Sequence, residues 1–128
     1  MGRSALEGCS ILVVEDEPLI VMDIQLAFED SGAELYIANT VKDALPFAKH
    51  GGLSLGVLDH GLADGQSTEL YQRLHDRGVP FIIYTGHNVP LGERSGGTVV
   101  SKPAIGESLR SVAEGLVTGA GALQHLNV

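Results

Sequence analysis

Short, nearly continuous apolar runs alternate along the chain with segments whose apolar residues return every three or four positions. Residues 10–14 form the first run, and its length and β-branched content predict a strand buried on both faces. Glu15, Asp16 and Glu17 make the turn after it. Pro18 suits the first position of a helix, where its missing N–H costs nothing. That helix is expected over 18–31, with Leu19, Met22, Leu26 and Ala27 on its apolar face and Gly32 as its stop.

The same alternation continues. Glu34 to Ala38 reads as a second strand, and Thr40 caps a helix over 41–50 that Pro46 should kink or delimit and that Gly51-Gly52 ends. Residues 53–58 form a third strand, followed by a helix over 66–76 that Gly78 ends. Pro80 opens a fourth strand, Phe81-Ile82-Ile83-Tyr84. Between 86 and 97, four glycines and Pro90 argue for a short or irregular fourth helix. Thr98 to Ser101 is a fifth strand. A last helix over 104–117 carries the stripe Ile105, Leu109, Val112, Leu116 and Val117.

Apolar strands alternating with amphipathic helices predict an α/β fold, a five-stranded parallel sheet covered on both faces. Right-handed crossovers restrict it to doubly wound topologies, which bind ligands at the carboxyl ends of the strands. No internal repeat or linker is visible, so residues 1–128 are expected to form one domain, with a core over about 9–118 and a tail over 119–128.

Composition narrows the function. Of 128 residues, 44% are hydrophobic, enough for a packed core. The formal charge of −8 argues against nucleic acid and against an anionic membrane surface, and it fits a divalent cation or a basic protein partner. The one cysteine, Cys9, cannot form an internal disulfide, which suggests a reducing compartment. No stretch approaches the roughly 20 apolar residues of a membrane span. The N-terminal residues lack a signal-peptide core and the sixth-position Ser or Thr of a myristoylation signal. A cytoplasmic protein is expected.

The chemistry lies at the predicted strand ends. The first strand ends in Glu15 and Asp16, the third in Asp59, the fourth in Thr85, and the fifth in Lys102 with Pro103 after it. Clustered carboxylates repel one another unless a cation joins them. Their oxygens suit Mg²⁺, which keeps several waters and takes one or two carboxylates together with phosphate oxygens. Asp59 is a carboxylate able to attack phosphorus. Thr85 offers a hydroxyl, and Lys102 a positive charge, to phosphoryl oxygens.

These stretches resemble the receiver domain of two-component response regulators. The likeness rests on Leu12-Val13-Val14-Glu15-Asp16-Glu17-Pro18, on Leu58-Asp59 with Leu62 and Asp64-Gly65, on Tyr84-Thr85-Gly86 and on Ser101-Lys102-Pro103, and it covers roughly residues 9–118. It implies a flavodoxin-like sheet in the order 2-1-3-4-5. It also implies that Asp59 is the phosphoacceptor, with Mg²⁺ held by Asp16, by Glu15 through water, by Asp59 and by the Gly61 carbonyl. Thr85 is then the switch hydroxyl and Lys102 the phosphate-binding cation. A sensor histidine kinase or histidine phosphotransfer protein is the implied donor, with a protein contact or a phosphorelay as output and a monomer or weak homodimer as the assembly.

The chain departs from the usual pattern. Gly86 follows Thr85 in place of Ala, Val99 stands where an aromatic switch residue is usual, Ala63 replaces a common Pro, and the segment from Thr85 to Lys102 is short. These traits resemble atypical stand-alone receivers of alphaproteobacteria with a Phe-x-x-Thr-Gly-type fourth strand.

Plainer readings compete at single positions. Asp64 reads as a helix cap, Tyr36, Tyr71 and Tyr84 as packing residues, and Cys9 as a buried small hydrophobe. The five histidines show no metal-ligand spacing, although His60 and His87 flank the predicted site. A receiver-like protein-binding module without phosphorylation is the alternative function. An aspartate-based phosphatase is disfavoured, because Gly61 stands where its general acid would be.

Overall fold

The computed structural model describes residues 4–49, 51–60, 62, 67–86, 88–104 and 106–119. Gly61, Asp64, His50, His87, Ile105 and the tail beyond Gly119 lie outside the described residues. Five strands, β1 (Ser10–Val14), β2 (Glu34–Ala38), β3 (Leu55–Leu58), β4 (Phe81–Thr85) and β5 (Thr98–Ser101), pair in parallel in the order β2-β1-β3-β4-β5. Among the described residues four helices, α1 (Pro18–Ala27), α2 (Val41–Ala48), α3 (Thr68–Asp76) and α4 (Gly106–Val117), connect and cover them. This is the doubly wound sheet that the alternation of strands and helices predicts.

Successive strand residues point to opposite faces, so the sheet builds two cores. On one face Leu12, Val14, Leu58 and Ile83 meet Ala44 and Ala48 of α2 and Leu70, Tyr71 and Leu74 of α3. On the other, Ile11, Val13, Val57 and Ile82 meet Ile24 and Ala27 of α1 and Leu109 and Ala113 of α4. Leu6, before β1, is fully buried in the second core. Each buried Leu, Ile or Val among them contributes about 1.5–3 kcal/mol by leaving water. The register sets Val14 beside both Ala38 and Leu58, so neighbouring strands finish level and their next residues emerge along one edge.

Helix α1 differs from the sequence expectation in two respects. In α1 the expected apolar face is largely the wrong one. Leu19, Met22 and Leu26 are 74%, 54% and 63% exposed, while Ile24, Ala27 and the following Phe28 are buried. The helix, PLIVMDIQLA, is apolar nearly all round, so spacing alone could not choose a face. It also ends at Ala27 rather than near 31. The buried Ser31 hydroxyl donates to the Phe28 carbonyl at 2.7 Å and accepts from the Ala33 N–H at 3.1 Å, which turns the chain toward β2. Gly32 then takes φ +80° beside Glu7, a site with no room for a side chain.

The expectations for the α2 cap and for the segment after β4 hold. The Thr40 hydroxyl accepts from the Asp43 N–H at 3.0 Å as the cap of α2, and Pro46 lies inside that helix. Between β4 and β5 the described residues form only a 3₁₀ turn, Leu91–Glu93. Val89 anchors this segment in the first core, and the Arg94 Nε donates to the Val89 carbonyl at 2.9 Å. Cys9 is half-buried rather than buried. Among the described residues no helix is long and apolar enough to cross a membrane.

Candidate functional site

Glu15 leaves β1 at the carboxyl edge of the sheet and is held at every polar atom. Its N–H donates to the Ala38 carbonyl at 3.0 Å, and its carbonyl accepts from Asn39 Nδ2 at 3.0 Å. Oε2 accepts the N–H groups of Asp16 and Glu17, each at 3.1 Å, which shapes the turn into α1. Oε1 takes the Lys102 ammonium at 2.6 Å. Glu15 is therefore a buried anchor for the loop that carries Asp16, and Asp16 itself is exposed.

Asp59 follows β3 and stays in its ladder, with its N–H on the Val14 carbonyl at 2.9 Å. Oδ1 accepts the His60 N–H at 2.9 Å and Lys102 Nζ at 3.2 Å. Oδ2 makes no hydrogen bond to another described residue. Lys102 thus joins the first and third strand ends. Its own N–H donates to the Thr85 carbonyl at 2.9 Å, so the fourth and fifth strand ends are bonded as well. The Lys102 ammonium lies 5.8 Å from the centre of the Tyr84 ring, within cation–π range, and the Tyr84 hydroxyl accepts from the Ala104 N–H at 2.9 Å. Thr85 is buried at the end of β4.

The electrostatics follow from unequal burial. Desolvation pushes the Glu15 carboxyl above its usual range, against the hydrogen bond from Lys102, and the nearby Asp59 charge adds to the rise. Lys102 moves the other way relative to its charge. Burial alone would lower its ammonium, yet the bond to Glu15 and the field of both carboxylates hold it above the ordinary value. Both values rise, because Lys102 faces two carboxylates, whereas Glu15 has one ammonium against its own burial and the repulsion of Asp59.

One ammonium serves two carboxylates, and Asp16 and Glu17 add charge at the rim. The carboxylate oxygens of Glu15, Asp16 and Glu17 come within 4.8 Å of one another. This hard, oxygen-rich, net negative donor set fits a divalent ion of the Mg²⁺ type. Among the described residues of the site, the carboxylate oxygens of Asp16 and Glu17 and Oδ2 of Asp59 are the ones not already bonded to the protein's own donors.

The structure therefore gathers Glu15, Asp16, Asp59, Thr85 and Lys102 at one sheet edge. Sequence reasoning missed two residues. Ser67 Oγ donates to the Asp59 carbonyl at 2.7 Å, and the Tyr71 hydroxyl lies 3.3 Å from the same oxygen and 3.0 Å from His60 Nδ1. The only available signal was a tyrosine on the core-facing side of α3, which reads equally well as packing.

Comparison with known proteins agrees with the fold. The chain is similar to a CheY-like response regulator receiver domain protein from Methanospirillum hungatei, at 24% identity over 86% of this chain and 94% of that one, with a TM-score of 0.77. A receiver domain protein from Clostridium thermocellum gives 21% identity over 91% and 98% of the two chains, with a TM-score of 0.74. A two-component response regulator from Clostridium difficile gives 19% identity over 94% and 99%, also at 0.74. No protein-family model and no curated protein matches the chain. The fold is that of response regulator receiver domains.

Proposed function

We propose that the protein is a response regulator acting as a single receiver domain, and that Asp59 accepts a phosphoryl group from a phosphohistidine on a sensor histidine kinase or histidine phosphotransfer protein. The observation that carries this reading is the Lys102 ammonium set between the buried carboxylates of Glu15 and Asp59, with exposed Asp16 beside them. A carboxylate oxygen of Asp59 attacks phosphorus, the P–N bond to the donor imidazole breaks, and the electron pair leaves with that nitrogen. An acyl phosphate remains on Asp59.

The chain's residues have distinct tasks in this reading. Lys102 neutralises a phosphoryl oxygen as charge builds on it, and Thr85 offers its hydroxyl to another. Glu15 holds the loop that presents Asp16. Asp16 and Asp59, with Glu15 through water and the carbonyl of Gly61, are the residues to hold Mg²⁺. When bound, that ion offsets the negative charge shared by acceptor and phosphoryl group. The donor must cover the rim of the site, where α1 begins. Leu19, Met22 and Leu26 make an exposed apolar stripe there that suits a helix of the donor.

The phosphorylated form signals through a protein partner or passes the group on in a relay; metabolic turnover of small phosphate esters is no part of this reading. Paired proton–nitrogen NMR spectra with and without beryllofluoride and Mg²⁺ test it. The amides of residues 15, 16, 59, 85 and 102 should move together. Spectra that do not change would leave a binding module that never takes a phosphoryl group.

A further inference from the structure

Asp59 is fastened to three parts of the fold. Its N–H is bonded to β1 and its carboxylate to Lys102 from β5, whereas its carbonyl is bonded to α3. The third attachment uses side chains. Ser67, just before α3, donates to the Asp59 carbonyl at 2.7 Å, and Tyr71, one turn into the helix, approaches the same oxygen at 3.3 Å. Both residues have 0% exposure.

The Tyr71 ring alone would suffice for packing. It stacks between His60, at 5.9 Å and 21°, and Phe81, at 5.4 Å and 19°. A phenylalanine would fill the same space without burying a hydroxyl, which is costly unless bonded. The partners of that hydroxyl are the carbonyl of Asp59 and, at 3.0 Å, Nδ1 of the next residue, His60. Burial pushes the phenol far above its usual pKa, so it stays a donor. Ser67 already gives the Asp59 carbonyl a short bond; the phenolic hydroxyl donates to the same oxygen and is also within hydrogen-bond distance of the His60 imidazole.

With N–H and carbonyl both held, the side-chain torsions are the main freedom left to Asp59, and the His60 N–H and Lys102 restrain those through Oδ1. We propose that Ser67 and Tyr71 are positioning residues for phosphoryl acceptance: by fixing the backbone of Asp59 and the ring of His60 to α3, they set the direction in which the free carboxylate oxygen meets phosphorus. This rests on the reading of Asp59 as the acceptor. Alignment of reacting atoms is sensitive to displacements of about 1 Å.

The test uses Tyr71→Phe, which keeps the ring, together with Ser67→Ala and the hydroxyl-bearing Ser67→Thr. Initial rates of phosphorylation are measured against acetyl phosphate concentration with Mg²⁺ present. Tyr71→Phe and Ser67→Ala should each lower the maximal rate about fivefold or more with little change in the half-saturating concentration, because aim rather than binding is lost. Ser67→Thr should keep most of the rate. The ¹⁵N resonances of the His60 imidazole should shift in Tyr71→Phe. Wild-type maximal rates in both Tyr71→Phe and Ser67→Ala would overturn the proposal, as would losses that merely match a smaller folded fraction in urea titrations. Wild-type protein that takes no phosphoryl group would remove the acceptor reading and this proposal with it; variants that react like a competent wild type overturn the proposal alone.

Discussion

Replacing Lys102 with methionine removes the ammonium and keeps a stem of similar length. In the native site that ammonium is 2.6 Å from Glu15 and 3.2 Å from Asp59, whose side chains are 1% and 10% exposed. The variant leaves two carboxylates facing each other with little water. Breaking a buried ion pair by removing one partner costs about 3–5 kcal/mol. The solvent access that Asp59 retains reduces this to about 2–3 kcal/mol at neutral pH. The loss should depend on pH with a defined sign. Without Lys102 the folded-state pKa of Glu15 rises further above its ordinary 4.5, so the folded state binds a proton that the unfolded state releases. Stability of the variant therefore falls relative to wild type as pH rises from the acidic range toward neutrality. A divalent cation replaces the missing charge. Mg²⁺ should bind the variant about tenfold more tightly than wild type and restore about 1.4 kcal/mol more stability. Urea denaturation followed by circular dichroism, with and without Mg²⁺, reads all three effects. A variant as stable as wild type in the absence of Mg²⁺, or equal stabilisation of the two by Mg²⁺, would refute the reasoning.

Other substitutions probe other parts of the account. Ile24→Ala, in the buried face of α1, should cost about 2–5 kcal/mol in chemical denaturation. Leu19→Ser and Met22→Ser, on its exposed face, should change stability by less than about 0.5 kcal/mol. The same two changes should slow transfer from a histidine phosphotransfer protein about tenfold and leave acetyl phosphate kinetics unaltered. Gly97→Ala would drive a methyl group into the Phe81 ring and should cost about 1–3 kcal/mol, read as a lower melting temperature. In alkali the Lys102 pair gives stability that is fully present below its ordinary pKa of 10.5 and lost as pH passes the raised folded value. Wild type should therefore lose more stability than Lys102→Met over that range in pH-dependent denaturation.

Much of the architecture was legible because strands and helices differ in period. The five apolar runs became the five strands, and their ends carried the polar residues that the sheet edge brings together. Asp59, Glu15 and Lys102 could be grouped without knowing a single distance, because equivalent positions in a parallel sheet finish level. Legibility stopped where periodicity carried no information. The sequence of α1 is apolar on most sides, so Leu19 and Ile24 could not be told apart, although one is on the surface and the other in the core. Tyr71 looked like a core residue and is one; that its hydroxyl also reaches Asp59 and His60 depends on the turn before α3, which no spacing rule describes. Glu15 read as a ligand, yet it also fastens its own loop through two backbone amides.

The central claim is that Asp59 takes a phosphoryl group. Intact-protein mass spectrometry after incubation with acetyl phosphate and Mg²⁺ tests it most directly. The wild type should gain the mass of one phosphoryl group, and the gain should be lost in Asp59→Asn and when Mg²⁺ is chelated. No gain in the wild type, or a gain that survives Asp59→Asn, would contradict it.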